Sequence, residues 1–161
     1  MTPEAKTQRT RAWLRYAARD LRVARASLRP DAEAEPYHAA FWAQQAAEKA
    51  LKGALVYADI PFEATHNLDA LAARLPDGWT ARQAAGLLGQ LTGYGVETRY
   101  PDLGEPEPTA EDARRAVIQA NAVQRAVRRD LEAHGFVFQT RATEQGRVER
   151  PAPRDEDTPE H

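Results

Sequence analysis

The chain has 161 residues, enough for one domain with a single core. Its formal net charge of −2 gives no bulk drive toward nucleic acid or membrane, although a local basic patch is compatible with it. Cysteine is absent, which excludes a disulfide framework and thiolate chemistry and fits a cytoplasmic protein. The first fifteen residues are polar and basic, so no secretory signal is expected, and no apolar stretch approaches membrane-spanning length.

Alanine-rich composition with few β-branched residues favours helix throughout. The first helix is predicted from Lys6 to Leu28, where Trp13, Ala17, Leu21, Ala24 and Leu28 recur at helical spacing. Arg11, Arg15, Arg19, Arg22 and Arg25 occupy the rest of its surface. They form either a solvated face whose stems cover apolar surface or a stripe that faces RNA. Arg29-Pro30-Asp31 breaks this helix, and Pro36 suits the first turn of a second one running to about Ala58.

The second helix is the most informative segment. Gln44, Glu48 and Lys52 lie four apart and align on one face, with Gln45 and Lys49 forming a row beside them. Phe41, Ala47, Ala50, Leu51 and Leu55 supply apolar contacts, and the repeated alanines let a neighbouring helix approach closely. Glu48 and Lys52 read as a helix-supporting pair or as part of a site for a nucleotide or partner. Asp59-Ile60-Pro61 ends the helix.

Thr65 is the expected N-cap of a short third helix from Asn67 to Leu75. His66 follows that cap, as a locally packed ring or as a site residue. After the Pro76-Asp77-Gly78 turn, a fourth helix is predicted from Thr80 to about Tyr94, despite the costly glycine set Gly86, Gly89, Gly93 and Gly95, which reads as close helix packing, a frayed end or a loosened end that places Arg99. Residues 96–108 read as a loop. Thr109 and Asp112 then form a capping box for a fifth helix that runs to about His134 and stops at Gly135. Phe136-Val137-Phe138 is expected to pack on the bundle or on a second subunit. From residue 139 the chain is polar and proline-rich and is predicted to be a disordered tail. The expected architecture is therefore an all-α, up-and-down bundle of about five helices over residues 6–138, framed by the first, second and fifth.

Several enzyme signatures are missing from the sequence. There is no phosphate-binding glycine loop and no Gly-x-Ser-x-Gly, and the four histidines, at 38, 66, 134 and 161, lack zinc-ligand spacing. No metal or cofactor is expected. What remains is Arg99-Tyr100-Pro101-Asp102. Arg99 precedes a segment that proline holds extended, where its planar fork suits a phosphate, and Tyr100 can stack on a base. The structural alternative pairs Arg99 with Asp102 or Glu97 and packs Tyr100 at the end of the bundle. Arg129 and His134 form a decoy pair, because five helical positions turn them roughly 140° apart. Trp13, Trp42 and Trp79 are expected as packing or interface anchors.

The run from Phe41 to Lys52, with Trp13, Thr65-His66-Asn67-Leu68 and Arg99-Tyr100-Pro101-Asp102, resembles the HEPN family over about residues 8 to 135. These are small helical domains linked to nucleotides and RNA. The resemblance implies a nucleotide-binding or regulatory module that forms a homodimer. It also implies a small nucleotidyltransferase as partner in a toxin–antitoxin-like pair. Arg99, Tyr100, Lys49, Lys52 and His66 are the residues expected to meet a nucleotide or phosphate. The first alternative is a metal-independent endoribonuclease toxin that uses Arg99 across a dimer interface. In HEPN ribonucleases a histidine follows the arginine by four to six residues, whereas here Gly104, Glu105 and Pro106 stand at 104–106. Glu105 is the one substitute base there. The second alternative is a purely structural helical adaptor.

Overall fold

In the computed structural model, residues 1–84, 87–95 and 107–138 are described. They form five α-helices and one 3-10 turn, with no strand among the described residues. None of these helices is long and apolar enough to cross a membrane. The fifth-helix cap, the Gly135 stop and the three-helix frame match the sequence expectation, while the region between residues 60 and 95 departs from it.

Helix α1 spans Pro3–Ser27, starting three residues before the predicted Lys6. Thr2 explains the difference: its side chain accepts the Ala5 N–H, and Pro3 sits at the first position, where a missing N–H does no harm. Helix α2 spans Pro36–Tyr57, with the His38 ring accepting the Glu35 N–H. Asp59 then takes a left-handed conformation, φ 58°, and the Ile60 N–H reaches back to the Leu55 carbonyl. This is the hydrogen-bond pattern of a Schellman stop.

Helix α3 spans Leu68–Ala73, shorter than predicted at both ends. Asn67 caps it by accepting the Ala70 N–H, while Thr65, the expected cap, accepts the Asn67 N–H instead. The predicted fourth helix from Thr80 to Tyr94 is not continuous. A 3-10 turn covers Ala81–Ala84, and helix α4 covers only Gly89–Gly93. Two carboxylates from elsewhere take the backbone donors. Asp130 accepts the N–H groups of Thr80 and Ala81, each at 2.8 Å. Asp69 accepts the Leu88 N–H at 2.9 Å, a donor that a continuous helix would have given to Ala84. The glycines make that interruption inexpensive.

Helix α5 spans Ala110–Ala133, opened by the predicted Thr109–Asp112 capping box. It ends at Gly135, φ 89°, with the Phe136 N–H returning to the Leu131 carbonyl. Phe136 packs edge-on against Tyr57, whose hydroxyl donates to the His134 carbonyl, so the 136–138 segment folds back on its own bundle. His134 lies against the Trp79 ring and bonds to the Asp130 carbonyl, a packing role.

The long helices arrange with α2 between α1 and α5, and α1 and α5 touch each other only sparsely. Alanines at 39, 40, 43, 46, 47, 50 and 54 are fully buried and bring the neighbouring helices close to α2. At Gly53 an added Cβ would lie 3.1 Å from the Trp13 Cβ and 3.3 Å from a Leu14 methyl. Leu51, Leu55, Leu68, Leu71, Leu75, Leu91 and Leu131 fill the remaining core, each contributing about 1.5–3 kcal/mol by burial.

A buried polar ladder on helix α2 as candidate functional site

Helix α2 carries its polar row into the interior. Gln44 is fully buried, Glu48 is 5% exposed and Lys52 is 8% exposed. Buried charge is tolerated only when paired and hydrogen-bonded. Here Glu48 is bonded on both oxygens. Lys52 Nζ donates to Oε1 at 2.7 Å, Gln44 Nε2 donates to Oε2 at 2.9 Å, and His66 Nδ1 lies 3.0 Å from Oε2. The Lys52 ammonium also sits 5.9 Å above the Trp13 ring and 5.8 Å above the Phe62 ring. These two aromatics pack edge to face and close the apolar side of the ammonium.

Burial by itself pushes the Glu48 carboxyl up. The hydrogen bonds from Lys52, Gln44 and His66, with the Lys52 charge, outweigh that and hold it below its ordinary value of 4.5. Glu48 is thus an acceptor only, so His66 Nδ1 is the donor of the bond between them. Nε2 is left on the far side of a ring whose side chain is 53% exposed. A carboxylate that orients an imidazole in this way can present Nε2 to a ligand.

The second row joins the first. Gln45 Nε2 donates to Gln44 Oε1 at 2.7 Å, Lys49 donates to Gln45 Oε1 at 3.3 Å, and Lys49 is ion-paired with the buried Asp20 of α1. The result is one continuous ladder from Asp20 through Lys49, Gln45 and Gln44 to Glu48, Lys52 and His66. Its two carboxylates balance its two ammoniums. Gln44 bridges the rows: besides the bonds to Glu48 and Gln45, its Nε2 donates to the His66 carbonyl at 3.3 Å. It is also roofed by Gly95, where an added Cβ would fall 2.4 Å from Gln44 Cδ. Only a residue without a side chain lets the backbone after α4 lie so close.

Of the residues singled out in the sequence, Lys52 and His66 meet at Glu48. Lys49 belongs to the same ladder but is engaged at its other end, on Asp20. Arg99 and Tyr100 lie outside the described residues, as do Gly104 to Pro106 and the tail from 139.

Asp20 and Asp130 were missed in the sequence, and both left a signal. Asp20 falls three residues after Ala17, within the apolar stripe of α1, and Asp130 falls three after Val127, within that of α5. A lone acid in register with a buried stripe must find an internal partner. Gly95 stood out as one of the costly glycines near the end of the fourth predicted helix, but no spacing in the sequence shows that it closes over Gln44.

Comparison with known proteins agrees with this architecture. A HEPN domain family model matches residues 10–130. The structure is similar to the crystal structure of TT1696 from Thermus thermophilus, with 32% sequence identity, 76% of this chain and 98% of that chain covered, and a TM-score of 0.64. No curated protein matches the chain. With the family match spanning α2, its polar ladder and most of the bundle, the chain belongs to the HEPN domain family of nucleotide- and RNA-associated helical modules.

Proposed function

We propose that this protein is a nucleotide-binding regulatory module that works as a homodimer and is partnered by a small nucleotidyltransferase in a toxin–antitoxin-like pair. The dimer and the partner rest on the family resemblance. The nucleotide site is supported by one observation: the ladder opens to solvent at His66, whose carbonyl accepts from the same Gln44 carboxamide that the Gly95 backbone closes over. His66 offers a ring oriented by its bond to Glu48, and Arg99 offers a bidentate fork for phosphate. Tyr100 offers a stacking face for the base. Lys49 and Lys52, already ion-paired, act by holding the ladder in shape. Titration calorimetry with ATP and AMP, in the absence of metal, tests this. His66→Ala and Arg99→Ala should each weaken binding about tenfold or more, since hydrogen bonds to charged groups are worth about 1.5–3 kcal/mol. Equal affinity in all three proteins would refute the site.

One observation favours a second reading, the metal-independent endoribonuclease: the Glu48–His66 pair is a carboxylate-oriented imidazole of the kind that transfers protons. The absent histidine after Arg99 weighs against it. Incubation with single-stranded RNA in excess EDTA separates the two. The binding module leaves the RNA intact, whereas the ribonuclease cleaves it and loses activity in Arg99→Ala.

A further inference from the structure

A second polar surface lies away from the ladder. Because α1 and α5 both pack on α2 but hardly on each other, a groove of about 670 Å³ runs between them, with Ala17, Leu21 and Ala50 on its floor. Its walls carry Arg11, Arg15, Arg22 and Arg25 from α1, and Arg125 and Arg128 from α5. No carboxylate lines it among the described residues. Among the described residues, only Arg128 has a carboxylate partner there, the solvent-exposed Glu132. Arg25 is bonded to the neutral Asn121 amide, and Arg11 to the Val137 carbonyl.

Such a concentration of like charge is unusual in a chain whose net charge is −2. Six guanidiniums facing one groove repel each other, and the fold supplies almost no counter-charge. Arg11 makes the point locally. Its guanidinium is held 5.8 Å from the Phe136 ring while its Nε is buried and donates to nothing among the described residues. Buried orphan donors are rare and call for a reason. Arg128 lies 4.2 Å over the Phe138 ring, so a flat aromatic surface adjoins the charged wall.

We infer that the α1–α5 groove is a docking surface for the phosphodiester backbone of a single-stranded nucleic acid. The shape selects a strand over a single nucleotide. Arg11 to Arg25 spans fourteen helical residues, about 21 Å, along which successive guanidiniums recur at one or two turns. Planar guanidinium forks match phosphate oxygens, and contacts of this kind are independent of sequence. The groove is a separate surface from the His66 site, and its function does not depend on nucleotide binding there.

The test is fluorescence anisotropy of a labelled twelve-residue oligouridylate with the full chain, in EDTA, at several salt concentrations. Arg22 and Arg125 are exposed and line the groove from its two walls, α1 and α5, so the Arg22→Glu/Arg125→Glu pair should fold normally. The milder Arg22→Gln/Arg125→Gln pair guards against a folding defect, with circular dichroism as the check. Wild type should bind with a steep salt dependence. Both double variants should lose about tenfold or more in affinity, and the Gln pair should flatten the log–log salt slope by about 1.4, two phosphate contacts' worth on a single strand. No binding by wild type, or an unchanged slope in the Gln pair, would overturn the inference. So would displacement of the strand by polyglutamate as effective as by unlabelled oligouridylate, which would mark the groove as a site for an acidic protein.

Discussion

Replacing Glu48 by leucine gives the sharpest reading of the ladder. The change removes a carboxylate that is bonded on both oxygens, and leaves the Lys52 ammonium, the Gln44 amide and the His66 ring without their shared partner. Removing one member of a buried ion pair costs about 3–5 kcal/mol, because the other charge stays desolvated. Lys52 keeps some compensation: the Trp13 and Phe62 rings still face it, and contacts of that type are worth about 1–2 kcal/mol. The expected loss is therefore near the lower end, about 3 kcal/mol. The double variant Glu48→Leu/Lys52→Met removes both charges and fills the space with apolar atoms that suit the Trp13–Phe62 box. Such replacements are often neutral or stabilising, so it should recover most of the loss. Urea denaturation followed by circular dichroism measures both, with midpoints compared at a common m value. If Glu48→Leu alone falls within about 1 kcal/mol of wild type, the pair is solvated in solution. The account of a buried ladder would then be wrong.

Gly95→Ala should destabilise by about 1–3 kcal/mol, because its Cβ would meet the Gln44 carboxamide, which is held by three hydrogen bonds and cannot swing away. Gly53→Ala is its control in the same melts: contacts of 3.1 and 3.3 Å are tight but offset by the helix propensity of alanine, so the change should stay within about 1 kcal/mol. Comparable losses for the two would refute the close fit over Gln44. For pH, the folded protein holds the Glu48 carboxyl below its ordinary 4.5, so its stabilising contribution is present above that pH and is lost as pH falls through the lower folded value. Glu48→Gln should accordingly narrow its stability gap to wild type on acidification below about 4.5, measured by urea midpoints at stepped pH; a gap that widens would reverse the sign of the argument. Asp130→Ala should lose about 2–4 kcal/mol, because the Thr80 and Ala81 N–H groups lose a charged acceptor, and hydrogen exchange at those two amides should accelerate selectively.

The frame was legible because its signals are local. Thr109 and Asp112 meet within one turn, Gly135 needs only its own φ, and the apolar spacing of α1, α2 and α5 repeats often enough to identify a helix. The ladder was half legible: spacing of four put Gln44, Glu48 and Lys52 on one face, but nothing local says whether that face meets water or protein. The answer depends on residues 61–95, which cover it. Within that stretch, Thr80 to Tyr94 was misread as one continuous helix because its decisive interactions are non-local. Asp130 reaches back fifty residues to Thr80, and Asp69 takes an amide nineteen residues ahead. Propensity is a weak prior when a carboxylate competes for the backbone donors.

The short elements between α2 and α5 make physical sense as a lining for the ladder. Helices of five or six residues are unstable alone, since nucleation outweighs so few backbone bonds. They persist here because buried leucines 68, 71 and 91 anchor them, and because their termini are bonded to side chains outside themselves. What they bring to α2 is specific. The carbonyl and ring of His66 satisfy Gln44 and Glu48, and the bare backbone of Gly95 closes over Gln44. A fourth long helix would have covered the same face with side chains at every turn, and would have left no room for a carboxamide at its centre. Broken secondary structure in this region is therefore what allows α2 to keep a polar row inside the bundle, with the exposed edge of one histidine as its outlet to solvent.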